Sequence, residues 1–256
     1  MSPSIPLNLP KLSVITIVYN DAKHIERTLK SVIQQTYPHI EYLIIDGAST
    51  DGTLAIVEKY RHAITTLISE KDKGIYDAMN KGLQRATGDY VLFMNAGDEI
   101  YAPHTVAQLF NQEPYADIYY GETEMIDEQL RSLGQRRHKA PEHLQLKSFR
   151  YGMSVCHQAI YIKKSLCKPY SNQYQLSADI DWILYALTQA NRIVNVKQYV
   201  AKYLVGGMSK KRHLQSLKER FQIMVHYYGL PSTLCYHVVI LFNLVFYYLK
   251  NRKTND

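Results

Sequence analysis

Cysteine is scarce in this sequence: Cys156, Cys167 and Cys235 are the only three in 256 residues. They cannot all pair and lack the close spacing of a metal site, which excludes a disulfide framework and fits a reducing compartment. No charged segment followed by an apolar stretch precedes Leu12, so nothing in the sequence predicts export. A membrane span needs about 20 consecutive apolar residues. The longest apolar run, residues 234–249, is shorter and is interrupted by His237 and Asn243, which excludes a multi-span channel region. Internal repeats and low-complexity tracts are also missing.

What is present suits a compact enzyme. With 46% hydrophobic residues the chain can bury a substantial core, and one domain over residues 1–220 followed by a helical tail over 221–256 is the simplest organisation. Residues 12–19 are rich in β-branched side chains and end at Asn20-Asp21, expected to cap a helix whose apolar positions are Ile25, Leu29, Val32 and Ile33. A strand to Asp46, a helix over 53–60, a strand over 65–69, a helix from Ile75 to Ala86 and a strand over 90–94 follow. Strands alternating with helices of this length predict an α/β fold with a mostly parallel sheet, right-handed crossovers and helices on both faces. Two strands break abruptly into acids and glycines, at Asp46-Gly47-Ala48-Ser49-Thr50-Asp51-Gly52-Thr53 and at Asn95-Ala96-Gly97-Asp98. Ligands of open parallel sheets sit beyond the carboxyl ends of the strands, so the two ends predict one shared polar site.

Charge is unevenly divided. Residues 1–130 carry 10 Lys/Arg against 18 Asp/Glu, residues 131–220 carry 17 against 4, and residues 221–256 carry 3 against 1. The basic part is either a solvated surface or a surface that meets diphosphate, anionic lipid or a lipid-diphosphate acceptor.

The ordered series Thr16-Ile17-Val18-Tyr19-Asn20, Gln34-Gln35-Thr36-Tyr37-Pro38, Asp46-Gly47-Ala48-Ser49-Thr50-Asp51-Gly52-Thr53, Asp72-Lys73-Gly74-Ile75-Tyr76-Asp77-Ala78-Met79-Asn80-Lys81-Gly82 and Ala86-Thr87-Gly88-Asp89-Tyr90 resembles glycosyltransferase family two. The resemblance implies the GT-A, Rossmann-like fold of nucleotide-diphospho-sugar transferases and an inverting transfer. It also implies a nucleotide-sugar half at about 12–99, an acceptor half at about 100–220, and C-terminal helices. The expected donor is a nucleotide sugar of UDP type, and the expected acceptor a saccharide or polyprenyl-diphosphate-linked saccharide of cell-envelope or exopolysaccharide synthesis.

Residue by residue, the resemblance gives Asp46 as the acid that contacts base or ribose. Thr16, Val18, Tyr19 and Asn20 wall the base, and Gly47 and Ser49 belong to the same donor loop. Asp72, Lys73 and Gly74 are expected near nucleoside and phosphate, although a Lys/Asp turn is also an ordinary surface feature. Many relatives end the later strand in Asp-x-Asp-Asp, whereas this chain has Asn95, Ala96, Gly97 and Asp98, so two carboxylates of the usual set are missing. Metal contact with Mg²⁺ or Mn²⁺ falls on Asp98, and Asn95 is expected to hold ribose or a metal-bound water. Asp51 fits better as a turn and helix-entry acid.

Inversion needs a base that removes the acceptor hydroxyl proton. The resemblance assigns it to Asp179 in Ser177-Ala178-Asp179-Ile180-Asp181-Trp182, with a helix-cap role as the alternative, and Asp181 as a first-turn acid. His157 and Gln158 are expected to orient the acceptor or support Asp179. Gly207 and Ser209, in Gly206-Gly207-Met208-Ser209, resemble a loop that closes over diphosphate, and His213 reads as an ordinary helix residue. The tail, with Tyr236, Tyr247 and Tyr248 and then Lys250, Arg252 and Lys253, predicts peripheral contact with anionic membrane at the cytoplasmic face; packing on the domain or a dimer contact are the alternatives. A pyrophosphorylase would need a Gly-rich loop where Tyr19-Asn20-Asp21-Ala22 stand. A basic membrane or nucleic-acid binding module is the non-enzymatic alternative, and no nucleic-acid partner is expected.

Overall fold

The computed structural model of the chain describes residues 9–112, 115–206 and 212–252. Its first half alternates strand and helix as the sequence predicts: β1 (Leu12–Val18), α1 (Ile25–Ile33), β2 (Ile40–Asp46), α2 (Thr53–Lys59), β3 (Thr66–Ser69), α3 (Ile75–Arg85) and β4 (Tyr90–Phe93). Every residue of β1 and β4 is buried, which explains why these strands read as continuous apolar runs: a central strand covered on both faces has no solvent side to alternate with. The remaining elements are β5 (Glu99–Ile100), α4 (Thr105–Gln112), β6 (Ile118–Ile126), β7 (Ser132–Gln135), β8 (Ile160–Lys163), α5 (Ala178–Gln189), β9 (Ile193–Leu204), α6 (His213–Tyr228) and α7 (Leu230–Arg252).

The described strands form one sheet in the order β3-β2-β1-β4-β8-β6-β9-β5, with β7 paired on β6. Pairings β1 with β2, β1 with β4, β2 with β3 and β6 with β9 are parallel, while β8 runs antiparallel to both β4 and β6. The chain therefore builds outward from β1 through β2 to β3, then returns to place β4 on the other side of β1. That reversal opens a crevice at the carboxyl ends of β1 and β4, the usual binding position in such sheets. Helix α3 approaches the sheet closely because Gly82 has no side chain; a Cβ there would sit 2.4 Å from Ile15 Cγ2 of β1.

The opposite edge of the sheet carries a structural polar knot. Glu41 is buried and accepts hydrogen bonds from Ser13 Oγ, the Thr87 N–H, Thr87 Oγ1 and Lys11 Nζ. Burial opposes its charge, but the four donors outweigh it and pull the carboxyl down to about 2.

Asn20 and Asp21 do not cap α1 with their side chains. The Asp21 carbonyl accepts from the N–H groups of His24 and Ile25, while Asn20 Oδ1 accepts from the Thr50 N–H at 2.8 Å. The Asn20 side chain is thus spent on the loop after β2, a tertiary contact that local propensity does not register. Helix α6 runs across residue 220 and packs on α5, where Tyr227 Oη donates to both the carbonyl and Oδ1 of Asp181. Helix α7 starts against α6, with Tyr236 at the Tyr228 ring and His237 at the Phe221 ring.

Candidate active site

Loops at the carboxyl ends of β1 and β2 interlock. The Gly47 N–H donates to the Val18 carbonyl, and the Asn20 N–H donates to Ser49 Oγ. Asp51 ties α2 to the same place: its Oδ1 accepts from the Thr53 N–H and hydroxyl, and its Oδ2 from the Ala22 N–H. Asp51 is thereby fully used in structure, as its turn sequence predicts. Tyr19 stays 65% exposed. Gly47 lets the Asp72 carboxylate and the Tyr19 ring converge over it, since a Cβ at Gly47 would come within 2.6 Å of Asp72 Oδ2 and 3.2 Å of the Tyr19 ring.

Asp46 lies fully buried beneath this cluster. Its Oδ2 accepts from the Ser49 N–H and the Ser69 hydroxyl, but its Oδ1 is buried with no partner among the described residues. An unsatisfied buried carboxylate oxygen is costly and is expected to meet a donor when the site is filled. Thr16 and Val18 are buried strand residues, Thr16 Oγ1 facing Tyr42 Oη at 3.1 Å. Asp72 accepts from the Gly74 N–H, which starts α3, and the neighbouring Lys73 is exposed.

A second cluster forms where β4 ends. Thr28 of α1 holds the Asn95–Asp98 turn, accepting from the Gly97 N–H and donating to the Asp98 carbonyl, while the Ala96 N–H donates to Ile17 of β1. The Asp98 side chain is buried; Gln158 Nε2 donates to its Oδ2 at 2.5 Å and the Leu204 N–H to its Oδ1 at 3.0 Å. Burial outweighs these bonds and the nearby Arg27 and His157 side chains, raising the carboxyl to about 6.

Asn95 connects this turn to Asp179. Its Nδ2 lies 3.0 Å from His157 Nε2, and His157 Nδ1 lies 3.5 Å from Asp179 Oδ2. An amide nitrogen can only donate, so His157 accepts at Nε2 and carries its proton on Nδ1, facing the carboxylate. Asp179 sits in the first turn of α5, after Ser177, which caps that helix without a side-chain bond. Burial works against its charge, but His157, the Arg220 guanidinium and the Ile180 N–H hold it below the usual carboxylate range. Asp181 has a different position, ion-paired with Lys168 Nζ at 2.8 Å and bound by Tyr227.

The structure thus brings Tyr19, Asn20, Asp46, Gly47, Ser49 and Asp72 into one cluster, and Asn95, Ala96, Gly97, Asp98, His157, Gln158 and Asp179 into another on the same sheet edge. Gly207 and Ser209 lie outside the described residues, as does the side chain of His213. Sequence reading missed Ser69, Tyr76, Leu204 and Arg220. Tyr76 stood inside a quoted motif, but nothing local indicated which way it points. Ser69 had the weaker signal of closing a strand beside Asp46.

Among the described residues no group of three or more His, Cys, Asp or Glu is placed to hold a metal ion. Asp98 offers one carboxylate, each oxygen keeping a lone pair beyond its single hydrogen bond, and Asn95 Oδ1, in the same turn, is buried without a partner among the described residues. This donor set fits a Mg²⁺- or Mn²⁺-type ion that takes most of its ligands from substrate phosphates and water, not a closed protein cage.

The family model described as glycosyl transferase family 2 matches residues 13–168. An uncharacterised glycosyltransferase of Mycobacterium tuberculosis is 34% identical over 187 residues, covering 69% of each chain. A putative teichuronic acid biosynthesis glycosyltransferase of Bacillus subtilis is 42% identical over 93 residues, or 35% of this chain and 37% of that one. The crystal structure of S. aureus TarS 1–349 in complex with UDP-GlcNAc superposes with a TM-score of 0.68 at 22% identity. It covers 85% of this chain, which spans 65% of that chain, just under two thirds.

Proposed function

Because the chain belongs to glycosyl transferase family 2, we propose that it moves a sugar from a nucleoside-diphosphate donor, with inversion, to a saccharide or polyprenyl-diphosphate-linked saccharide of the cell envelope. The observation that carries this reading is the run of contacts from Asn95 through His157 to Asp179, which joins the turn beside the donor crevice to a carboxylate held ionised. The Asp46 Oδ1 suits the N–H of a uracil-type base, and the exposed Tyr19 ring supplies a face against which that base stacks.

Asp179 then acts as general base. It takes the proton of the acceptor hydroxyl as that oxygen attacks the sugar from the side opposite the departing diphosphate. His157, with its proton on Nδ1, holds the carboxylate in position, and Asn95 fixes the imidazole. Asp98 would hold a divalent ion, with Asn95 on ribose or on a water of that ion; bound there, such an ion neutralises the charge that develops on the leaving diphosphate. Lys73 belongs to the same phosphate side of the reading.

A thermal-shift screen of nucleoside diphosphates and nucleotide sugars, with and without Mn²⁺, tests the donor. UDP and at least one UDP-sugar are expected to raise the melting temperature in a concentration-dependent way, more with Mn²⁺ than without. A protein stabilised by no nucleotide under either condition is not a transferase of this kind.

Helix α7 supplies the membrane part of the proposal. No helix among the described residues is long and apolar enough to cross a membrane. Along α7, however, Leu230, Leu234, Val238, Leu241 and Phe242 are exposed and recur at helical spacing, and the sequence continues into Lys250, Arg252 and Lys253. An exposed apolar stripe with trailing bases suits an interfacial helix on anionic lipid. Full-length protein is expected to float with vesicles containing phosphatidylglycerol and to be partly released by high salt. Truncation after His237, which spares the packed start of α7, should abolish flotation and leave UDP binding intact. If the full chain ignores such vesicles and the truncated chain unfolds, α7 is a packing element instead.

A further inference from the structure

Tyr76 lies in the turn-to-helix motif that opens α3, far in sequence from the acceptor side, yet its hydroxyl reaches Asp179 Oδ1 at 3.3 Å. The opposite carboxylate oxygen, Oδ2, faces His157. Asp179 is therefore gripped from two sides by groups on different elements, while Arg220 of α6 contributes charge without a direct bond. We infer that Tyr76 is a positioning residue for the base, donating its phenol hydrogen to Asp179 so that the carboxylate stays ionised and aimed while buried. The inference rests on the reading of Asp179 as general base.

Two features make this more than a chance approach. The first is rigidity. The Tyr76 ring stacks on Tyr170 with centroids 5.3 Å apart and 19° between planes, and Tyr170 stacks on Trp182 at 5.2 Å and 10°. Phe93 of β4 closes edge-on against both Tyr170 and Trp182. Asn80, one turn beyond Tyr76 on α3, clamps the Tyr170 backbone with both of its amide atoms, and Trp182 Nε1 donates to the Lys168 carbonyl. Trp182 stands three residues after Asp179 on α5, so the stack measures out the distance from α3 to the base and leaves the phenol little freedom.

The second is protonation. Burial, with the nearby Asp179 charge, keeps the Tyr76 phenol well above its ordinary range, so it remains an O–H donor throughout the working range of the enzyme. A donor beside a carboxylate stabilises the charged form. The groups facing Asp179 are then His157 from the turn before β8, Tyr76 from α3, Arg220 from α6 and the Ile180 N–H of its own helix, with the Tyr170 and Tyr203 phenols and the Cys156 thiol near enough to feel its charge. Removing the Tyr76 phenol subtracts one of these supports and leaves the burial that opposes ionisation.

Tyr76→Phe retains the ring stack and deletes only the hydroxyl. In full-length protein with ¹³C-labelled aspartate carboxyls, the resonance that disappears in Asp179→Asn reports the titration of Asp179 without any substrate. Its midpoint is expected to move upward by about one pH unit in Tyr76→Phe, a tenfold change in the protonation equilibrium. Thermal stabilisation by UDP should be unchanged. The acid limb of kcat/KM with UDP-N-acetylglucosamine, read as UDP release, should move the same way. An unmoved midpoint in a folded Tyr76→Phe protein overturns the inference whatever happens to activity. A shifted midpoint together with full turnover in Asp179→Asn instead confirms the contact and removes the base assignment, and with it the catalytic meaning of Tyr76.

Discussion

Asp179→Asn is expected to keep the fold and nucleotide binding while transfer falls by roughly 10²-fold or more, the range that loss of a positioned general base produces. The substitution is nearly isosteric, and its amide oxygen can still accept from His157 Nδ1 or Tyr76 Oη, so the stacked aromatic wall behind it keeps its supports. What is lost is a group able to take a proton. Separate measurement of donor affinity and single-turnover rate distinguishes this from a structural role. A variant that loses UDP binding and thermal stability in proportion to activity would mean that the carboxylate serves α5. Asp181 cannot then replace it without breaking its ion pair with Lys168 and its bond from Tyr227.

Asp98→Asn should abolish the increment that Mn²⁺ adds to UDP-induced stabilisation and most of the transfer, while the metal-free increment survives. The asparagine must turn its NH₂ toward either Gln158 Nε2 or the Leu204 N–H, which now donate to the carboxylate, so one of those donors also loses its acceptor. The parent protein offers an independent check through pH. Burial raises the Asp98 carboxyl to about 6, so the charge that attracts a cation is present above that value and disappears as pH falls through it. The Mn²⁺-dependent increment should follow the same course. Undiminished metal stimulation in a folded Asp98→Asn protein would remove Asp98 from the ion. Asp46→Ala should behave differently, weakening UDP binding with and without Mn²⁺ alike, because the lost atom is the acceptor aimed at the base rather than at the phosphates.

Much of the fold is legible in the sequence because its signals are local. The apolar runs of β1, β2 and β4, the helical spacing of Ile25, Leu29 and Val32, and the acid and glycine turns after Asp46 and Met94 each declare an element from neighbouring residues alone. Their order then implies a parallel sheet whose strand ends meet, and the structure has that sheet. The structural use of Asp51 was likewise readable, since a short acid next to Thr53 at a helix entry bonds locally.

The chemistry of the site was settled by tertiary structure. Asp98 is one acid in a turn until Gln158, 60 residues later, and Leu204, 106 residues later, close on its two oxygens in a buried place. Asn20 could be assigned to a helix cap by sequence alone, because only folding brings Thr50 within 2.8 Å of it. Tyr76 and Asp179 stand 103 residues apart, and neither carries a pattern that names the other. The sequence determined by itself the elements and the edge of the sheet at which polar residues gather, since backbone preference and apolar periodicity act over a few residues. Which oxygen meets which donor, and hence which carboxylate is raised, which is held charged and which is left waiting for a partner, depends on burial and contacts between distant segments, and only the packed fold decides these.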